Sequence, residues 1–347
     1  MDVNYRVVKK LPPIEETVAR YPLSKEAEAR IQKDREEIKN IIAGKDERLL
    51  FIVGPCSAWP EEAVLEYAAR LKNLSGAVRD KVKVVMRVYI QKPRTLKGWP
   101  GPMNQPDPYE PPDVEEGTAY CRRMMVEVVE MGLPVADEAV YLQNAKGFLE
   151  LISWMAIGAR SVEDQQHRNF ASGVSCAVGM KNGTTGSIEV AVNGIVAAQH
   201  PHHAVIDGIQ IETKGNPFAH LVLRGGGGIP NYGSEHLMEA DALFKKHKVK
   251  NPAIIIDASH DNSKVGGKKL PSQQANVVRE VLARRVADPE AGRLVKGFMV
   301  ESFIKEGSQN LEEKSAETID RSGLSITDPC IGWERTEALI REVAETL

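Results

Sequence analysis

Lys83-Val-Val-Met-Arg-Val-Tyr-Ile-Gln-Lys-Pro-Arg-Thr95 is a β-branched run that ends in a crowd of cations. Val84 to Ile90 has the near-continuous apolar character of a strand buried on both faces, as parallel sheets require. Arg87 interrupts the run, and Lys92 and Arg94 follow at its exit. A charge inside such a strand needs a partner. Pro93 fixes the backbone just beyond it, so the cations are expected on a rigid arc that suits a phosphate or carboxylate. Taken alone, the stretch also fits a solvated edge strand with ordinary surface Arg and Lys. The rest of the chain decides between the two.

At 347 residues and 42% hydrophobic content, the chain is long enough for one large domain or two ordinary ones. The formal net charge of -3 gives no global support for a nucleic-acid or acidic-membrane partner, so any functional cations act locally. No apolar run approaches a membrane span and Met1 to Lys10 has no apolar secretory segment, which makes a cytoplasmic protein the expectation. The 4 cysteines, Cys56, Cys121, Cys176 and Cys330, lie far apart without a CxxC pair. That spacing disfavours a disulfide scaffold and a structural zinc knuckle alike.

Residues 1–48 read as an arm. Pro12-Pro13 is expected to break any early helix, and a charged helix follows from Leu23-Ser24 to Ile42, stopping at Gly44. Strands and helices then alternate. Leu49–Val53 precedes the helix Glu61–Lys72, and the cationic strand precedes a Pro-rich loop at Trp99–Pro112 and the helix Val114–Met131. The third strand, Pro134–Glu138, is paired with an expected helix Tyr141–Leu151; the fourth, Trp154–Ala159, with Asp164–Ala171; the fifth, Cys176–Met180, with Ser187–Ala198. Residues 204–224 hold two β-rich pieces, Val205–Ile211 and Leu221–Leu223, ahead of the helix Ser234–His247. Ala253–Ile256 and its helix Gln273–Val286, then Leu294–Val300 and the final helix Glu334–Thr346, complete the pattern.

Eight strands in regular βα alternation, with no GxGxxG after the first, point to a closed (β/α)8 TIM barrel over 49–347 rather than an open doubly wound sheet. An N-terminal helical extension and a β-rich insertion near the sixth strand are added to it. Barrel chemistry gathers at the C-terminal strand ends. Those ends carry Cys56, Arg87 with Lys92, Glu138, Arg160, Lys181, Arg224, His260 and Glu301 in turn. Arg87, Lys92, Arg160, Lys181 and Arg224 form a cationic basin for a multiply anionic substrate. Cys56, His260 and Glu301, with Asp328 of the Ser325–Cys330 loop, make a mixed set suited to a catalytic divalent metal.

The motifs VGPCSA (53–58), MRVYIQKPRT (86–95), WMAIGARSVEDQQHR (154–168), VGMKNGTTG (178–186), LRGG (223–226), IDASHDNS (256–263), MVESFIKEG (299–307) and SITDPCIGWE (325–334) closely resemble the metal-dependent 3-deoxy-D-arabino-heptulosonate-7-phosphate (DAHP) synthases. The resemblance runs from about Leu11 to the C-terminus. It implies condensation of phosphoenolpyruvate with erythrose 4-phosphate at the entry to the shikimate pathway of aromatic amino-acid biosynthesis. It further implies Arg160, Lys181 and Arg224 on the phosphate of phosphoenolpyruvate, and Arg87 and Lys92 at its carboxylate. Lys92 also comes near the reacting carbonyl, and Pro93-Arg94-Thr95 seats the aldose phosphate. Cys56, His260, Glu301 and Asp328 match the family's ligands for a divalent ion, with Mn, Fe, Co and Zn all open. Lys92, Glu138 and His260 are the implied catalytic groups, Glu138 handling the water.

The family's regulated members place an aromatic amino acid between the arm and a hairpin near the sixth strand, and arms of this kind pack on a neighbouring subunit. A homodimer or homotetramer is therefore expected. Here the hairpin segment reads as shortened, and His200, His202 and His203 are expected to replace its apolar wall, which implies weak or no phenylalanine sensitivity while leaving tyrosine or another effector open. Two rivals remain. A sibling enzyme uses arabinose 5-phosphate, but its loop differs from Lys92-Pro-Arg-Thr95; a silent, metabolite-sensing barrel should have lost a ligand or a cation.

Overall fold

The computed structural model describes residues 3–94, 96–142, 145–206 and 208–347. In chain order the elements are α1 (Ile14–Arg20), α2 (Lys25–Ile42), β1 (Leu49–Gly54), α3 (Glu61–Val78), β2 (Val82–Arg87), α4 (Val114–Glu130), β3 (Val135–Ala139), β4 (Ile152–Ile157), α5 (Gln165–Gly173), β5 (Ala177–Lys181) and α6 (Ile188–Ala198). They continue with β6 (His203–Ile206), β7 (Ile209–Glu212), β8 (Ala219–Leu223), α7 (Ser234–His247), β9 (Ile254–Asp257), β10 (Lys264–Val265), β11 (Lys268–Lys269), α8 (Gln273–Ala287), α9 (Pro289–Gly292), β12 (Val295–Glu301) and α10 (Trp333–Thr346).

Eight of the strands close into a parallel barrel in the order β1-β2-β3-β4-β5-β8-β9-β12 and back to β1. The closing pair runs in register from Leu50 opposite Gly297 to Gly54 opposite Glu301. Each barrel strand is buried almost throughout, because its outer face meets helices and its inner face meets the other strands. The expected (β/α)8 barrel is the observed fold.

The inner face is a core of its own. Leu50, Ile52, Val85, Ala136, Trp154, Ala177, Val222, Ile255 and Met299 pack together there, and Ile38, Ile41 and Ile42 of α2 join them. The spacing of those isoleucines puts them on one face, so α2 plugs the N-terminal end of the barrel. Its start is fixed by Ser24, whose hydroxyl accepts from the Ala27 N–H at 3.1 Å. On the barrel floor the Trp154 indole N–H donates to His220 Nε2 at 3.1 Å, while His220 Nδ1 donates to the Phe218 carbonyl at 2.8 Å. Burial drives this imidazole's pKa down to about 4, so it stays neutral.

Three expectations are corrected. Pro12-Pro13 does not prevent an early helix: Pro13 is the N-cap of α1, a position where proline's missing N–H costs nothing. No α-helix forms among the described residues of 141–151; Leu142 is in a 3-10 conformation and turns run over 146–151. Gly147 adopts φ +86°, and a Cβ at that position would come 2.5 Å from Ile14 Cγ1, so α1 occupies the space beside the chain. The insertion near the sixth strand forms an antiparallel β6–β7 hairpin, paired from His203 opposite Glu212 to Ile206 opposite Ile209. His200 and His202 turn back to the Val196 and Ala197 carbonyls at 2.6 and 2.7 Å, closing the end of α6 instead of forming a polar wall. The hairpin leaves large apolar side chains in the open, with Val205 73% and Ile209 65% exposed.

Candidate active site

A cavity of about 420 Å³ opens at the C-terminal ends of the barrel strands. Cys56, Arg87, Lys92, Arg94, Glu138, Arg160, Lys181, Arg224, His260, Glu301 and Asp328 all line it. Thr95, the remaining expected site residue, lies outside the described residues. Barrel order sorts this wall by charge. Arg160, Lys181 and Arg224 follow the consecutive strands β4, β5 and β8; Cys56, Glu301 and Asp328 belong to the adjacent β1 and β12 and their loops, on the other side of the ring. Arg87 with Lys92 and Glu138 fill one gap between these arcs, from β2 and β3, and His260 fills the other, after β9.

Ligand-type atoms of Cys56, Glu301 and Asp328 lie within 4.8 Å of one another. Bond lengths of about 2.0–2.3 Å put two ligands of one ion at most about 4.6 Å apart, so the trio stands near the spacing a divalent metal needs, and a thiol with two carboxylates is a donor set such an ion accepts. Their neighbours are cations. Arg87 Nη2 donates to Glu301 Oε1 at 3.1 Å, and the Ser259 hydroxyl donates to Oε2 at 2.7 Å. Lys92 Nζ donates to the Cys56 carbonyl at 2.7 Å and sits 3.3 Å from its sulfur, while Lys269 pairs with Asp328. Burial opposes ionisation of Glu301, yet His260, Arg87 and the two lysines hold its carboxyl well below the usual range. Burial and the Glu301 charge push the Cys56 thiol up.

His260 stands beside this trio without belonging to it. Its backbone is left-handed, φ 52°, and its Nδ1 is turned to within 2.9 Å of Asp257 Oδ2, out of line for a hydrogen bond. Asp257 also faces Lys181 Nζ at 3.3 Å, and Glu138 Oε2 stands 3.6 Å from the same nitrogen. Burial opposes the Asp257 charge, but His260 and Lys181 keep it ionised. Glu138 lies flat against Gly158, where any Cβ would come 2.4 Å from Oε1.

The loops after β5, β8 and β9 hang on three buried asparagines. Asn182 accepts from the Arg224 N–H at 2.9 Å and donates to the Gly225 carbonyl at 2.9 Å. Asn231 accepts from the Gly225 N–H at 2.6 Å and its own N–H donates to Asn262, which reaches back to the carbonyls of Leu223 and Asp257 at 3.1 and 2.8 Å. Arg224 is thereby locked to the loop that carries His260. These amides, with Tyr89, Asp257 and Lys269, are what reading the sequence missed. Tyr89 left a signal, because it shares a strand face with Arg87 at i, i+2; Lys269, after a Gly-Gly turn, left none beyond its charge.

The model of the DAHP synthetase I family matches residues 21–341. The Tyr-sensitive phospho-2-dehydro-3-deoxyheptonate aldolase of Escherichia coli (strain K12) is 41% identical over 340 residues, covering 96% of this chain and 92% of that protein. The Phe-sensitive enzyme of the same organism is 38% identical over 356 residues, covering 100% and 97%. A solved phospho-2-dehydro-3-deoxyheptonate aldolase structure from Francisella tularensis SCHU S4 superposes with a TM-score of 0.92 at 36% identity, covering 99% of this chain and 98% of that one. With that match across the barrel and every motif of its mouth, the chain belongs to the DAHP synthetase I family.

Proposed function

We infer that this protein condenses phosphoenolpyruvate with erythrose 4-phosphate to give DAHP and inorganic phosphate. The observation that carries the reading is the sorting of one cavity into a cationic arc, Arg160, Lys181 and Arg224, and a metal-type trio, Cys56, Glu301 and Asp328, with Lys92 bridging toward the trio. Two anionic substrates need that much positive charge, and they need it held rigidly.

On this reading the β4-β5-β8 arc grips the phosphate of phosphoenolpyruvate, and Arg87 and Lys92 face its carboxylate. Arg87 keeps two buried nitrogens, Nε and Nη1, without a protein partner, as a group awaiting an anion would. Arg94, on the loop after Lys92, takes the aldose phosphate together with Thr95. The trio, completed by His260, would hold a divalent ion, which supplies Lewis-acid polarisation of the aldehyde oxygen. The phosphoenolpyruvate methylene carbon bonds to the aldehyde carbon. The Lys92 ammonium gives a proton to the aldehyde oxygen as it becomes a hydroxyl. Water adds at the cationic C2 this leaves, with Glu138 taking one of its protons; the C2–O bond to the phosphate then breaks, phosphate leaving with the electron pair and the new hydroxyl's proton as C2 becomes the ketone.

Residues 1–48 act as an assembly arm, and a homodimer or homotetramer covers the apolar hairpin. Relatives carry the names Tyr-sensitive, Phe-sensitive and Trp-sensitive, and an aromatic amino acid is the effector class proposed here. With His200 and His202 turned to α6, His203 alone of the three histidines stays on the hairpin, which weakens the ground for disfavouring phenylalanine. No helix among the described residues is long and apolar enough to cross a membrane, and all four cysteines are buried free thiols, which goes with a cytoplasmic setting. The assay is phosphoenolpyruvate-dependent phosphate release with erythrose 4-phosphate. No release with either erythrose 4-phosphate or arabinose 5-phosphate would leave the silent barrel.

A further inference from the structure

Three of the cations assigned to phosphoenolpyruvate surround one aromatic ring. The Arg87 guanidinium carbon stands 4.1 Å from the Tyr89 ring centroid, Lys92 Nζ 5.8 Å and Lys181 Nζ 5.9 Å. Tyr89 is 2% exposed, and among the described residues its hydroxyl reaches only the Met299 sulfur, at 3.8 Å. The three cations come from different places: Arg87 ends β2, Lys92 lies on the loop beyond it, and Lys181 ends β5. Nothing in the backbone obliges them to meet.

Like charges converging on one cavity repel before substrate arrives, and each has only partial compensation. Arg87 has Glu301 on one nitrogen, Lys181 has Asp257 at 3.3 Å and Glu138 at 3.6 Å, and Lys92 has the Cys56 carbonyl and sulfur. A ring quadrupole attracts cations lying over it, most strongly where water is excluded. An aliphatic side chain would fill the same volume without that attraction, and a carboxylate would draw the cations off the substrate.

We propose that Tyr89 is a positioning residue whose ring holds Arg87, Lys92 and Lys181 at the spacing that fits phosphoenolpyruvate. The ring is the working part and the hydroxyl is dispensable. This rests on the reading of the site given above. It also accounts for why Arg87 remains directed at the cavity with two nitrogens unpaired while its third is tied to Glu301.

The test compares Tyr89→Phe, which keeps the ring, with Tyr89→Leu, which keeps only volume. Steady-state kinetics are measured with each substrate varied, alongside calorimetric titration of phosphoenolpyruvate and thermal unfolding. The ring account expects Tyr89→Phe within about twofold of wild type. It expects Tyr89→Leu to raise KM and Kd for phosphoenolpyruvate about tenfold or more while KM for erythrose 4-phosphate moves less than threefold. Equal loss in both variants would assign the effect to the hydroxyl. A fall in kcat alone, or equal weakening toward both substrates with a matching drop in unfolding temperature, would make Tyr89 a packing residue. Wild-type enzyme inactive with both substrates would overturn the functional reading; active wild type with an unaltered Tyr89→Leu would overturn this proposal alone.

Discussion

Lys92 Nζ lies 3.3 Å from Cys56 Sγ. One residue belongs to the cations proposed to bind substrate and the other to the metal-type trio, so the two halves of the mouth meet at this contact. A substrate bound through Lys92 is brought next to the ion that Cys56 would help to hold.

Cys56→Ala should therefore reduce turnover by at least a hundredfold and weaken binding of added Mn²⁺ or Zn²⁺, while the circular dichroism spectrum stays that of the parent. A metal at a barrel mouth is not part of the core, which sits below it. His260→Ala should do the same to turnover but, since its ring is turned to Asp257 rather than into the trio, should weaken metal binding less. Calorimetric titration of metal into both variants checks the order. Undiminished activity in Cys56→Ala would remove it from the ligand set.

Lys181→Met should raise KM for phosphoenolpyruvate at least tenfold, as loss of a charge-assisted contact worth about 1.5–3 kcal/mol requires. It also strips the fully buried Asp257 of a counter-ion, which should cost about 3 kcal/mol of stability. Adding Asp257→Asn should restore much of that stability in urea unfolding without restoring phosphoenolpyruvate use. If erythrose 4-phosphate KM rose instead, the two phosphate subsites would be interchanged.

His220 makes stability depend on pH from the far end of the barrel. Its folded pKa of about 4 lies below the ordinary value of 6.5, so the unfolded chain binds the proton more readily. Stability attributable to this group is complete above pH 6.5 and falls as pH drops toward 4, by up to about 3 kcal/mol. Urea unfolding at pH 7 and pH 5 should show the decline, and His220→Gln should flatten it. An equally steep decline in the variant would place the effect on other groups.

Val205→Asp with Ile209→Asp should convert the assembly to a smaller species in light scattering and reduce inhibition by the effective aromatic amino acid at least fivefold. In the proposed assembly the partner covers Val205 and Ile209, two large apolar side chains that are exposed on the hairpin. Unchanged mass would locate the interface elsewhere.

The barrel was legible because parallel strands buried on both faces read as apolar runs such as Leu49–Val53 and Ala253–Ile256, and because function sits at their ends. What was not legible depended on tertiary partners. Tyr141–Leu151 has helical residues, but α1 takes the neighbouring space at Gly147. Ile38, Ile41 and Ile42 announce an apolar face without saying that it plugs a barrel. His200 and His202 looked like wall residues until the carbonyls at the end of α6 claimed them. Asn182, Asn231 and Asn262 are ordinary loop residues in sequence, and only the fold turns them into one scaffold.

The central claim is tested most directly by phosphate release from phosphoenolpyruvate, with erythrose 4-phosphate and with arabinose 5-phosphate, before and after exhaustive chelation. The account predicts rapid release with the four-carbon sugar, at least a hundredfold less with the five-carbon one, loss on chelation and recovery when a divalent ion is returned. Release that survives chelation undiminished, or that prefers arabinose 5-phosphate, would contradict it.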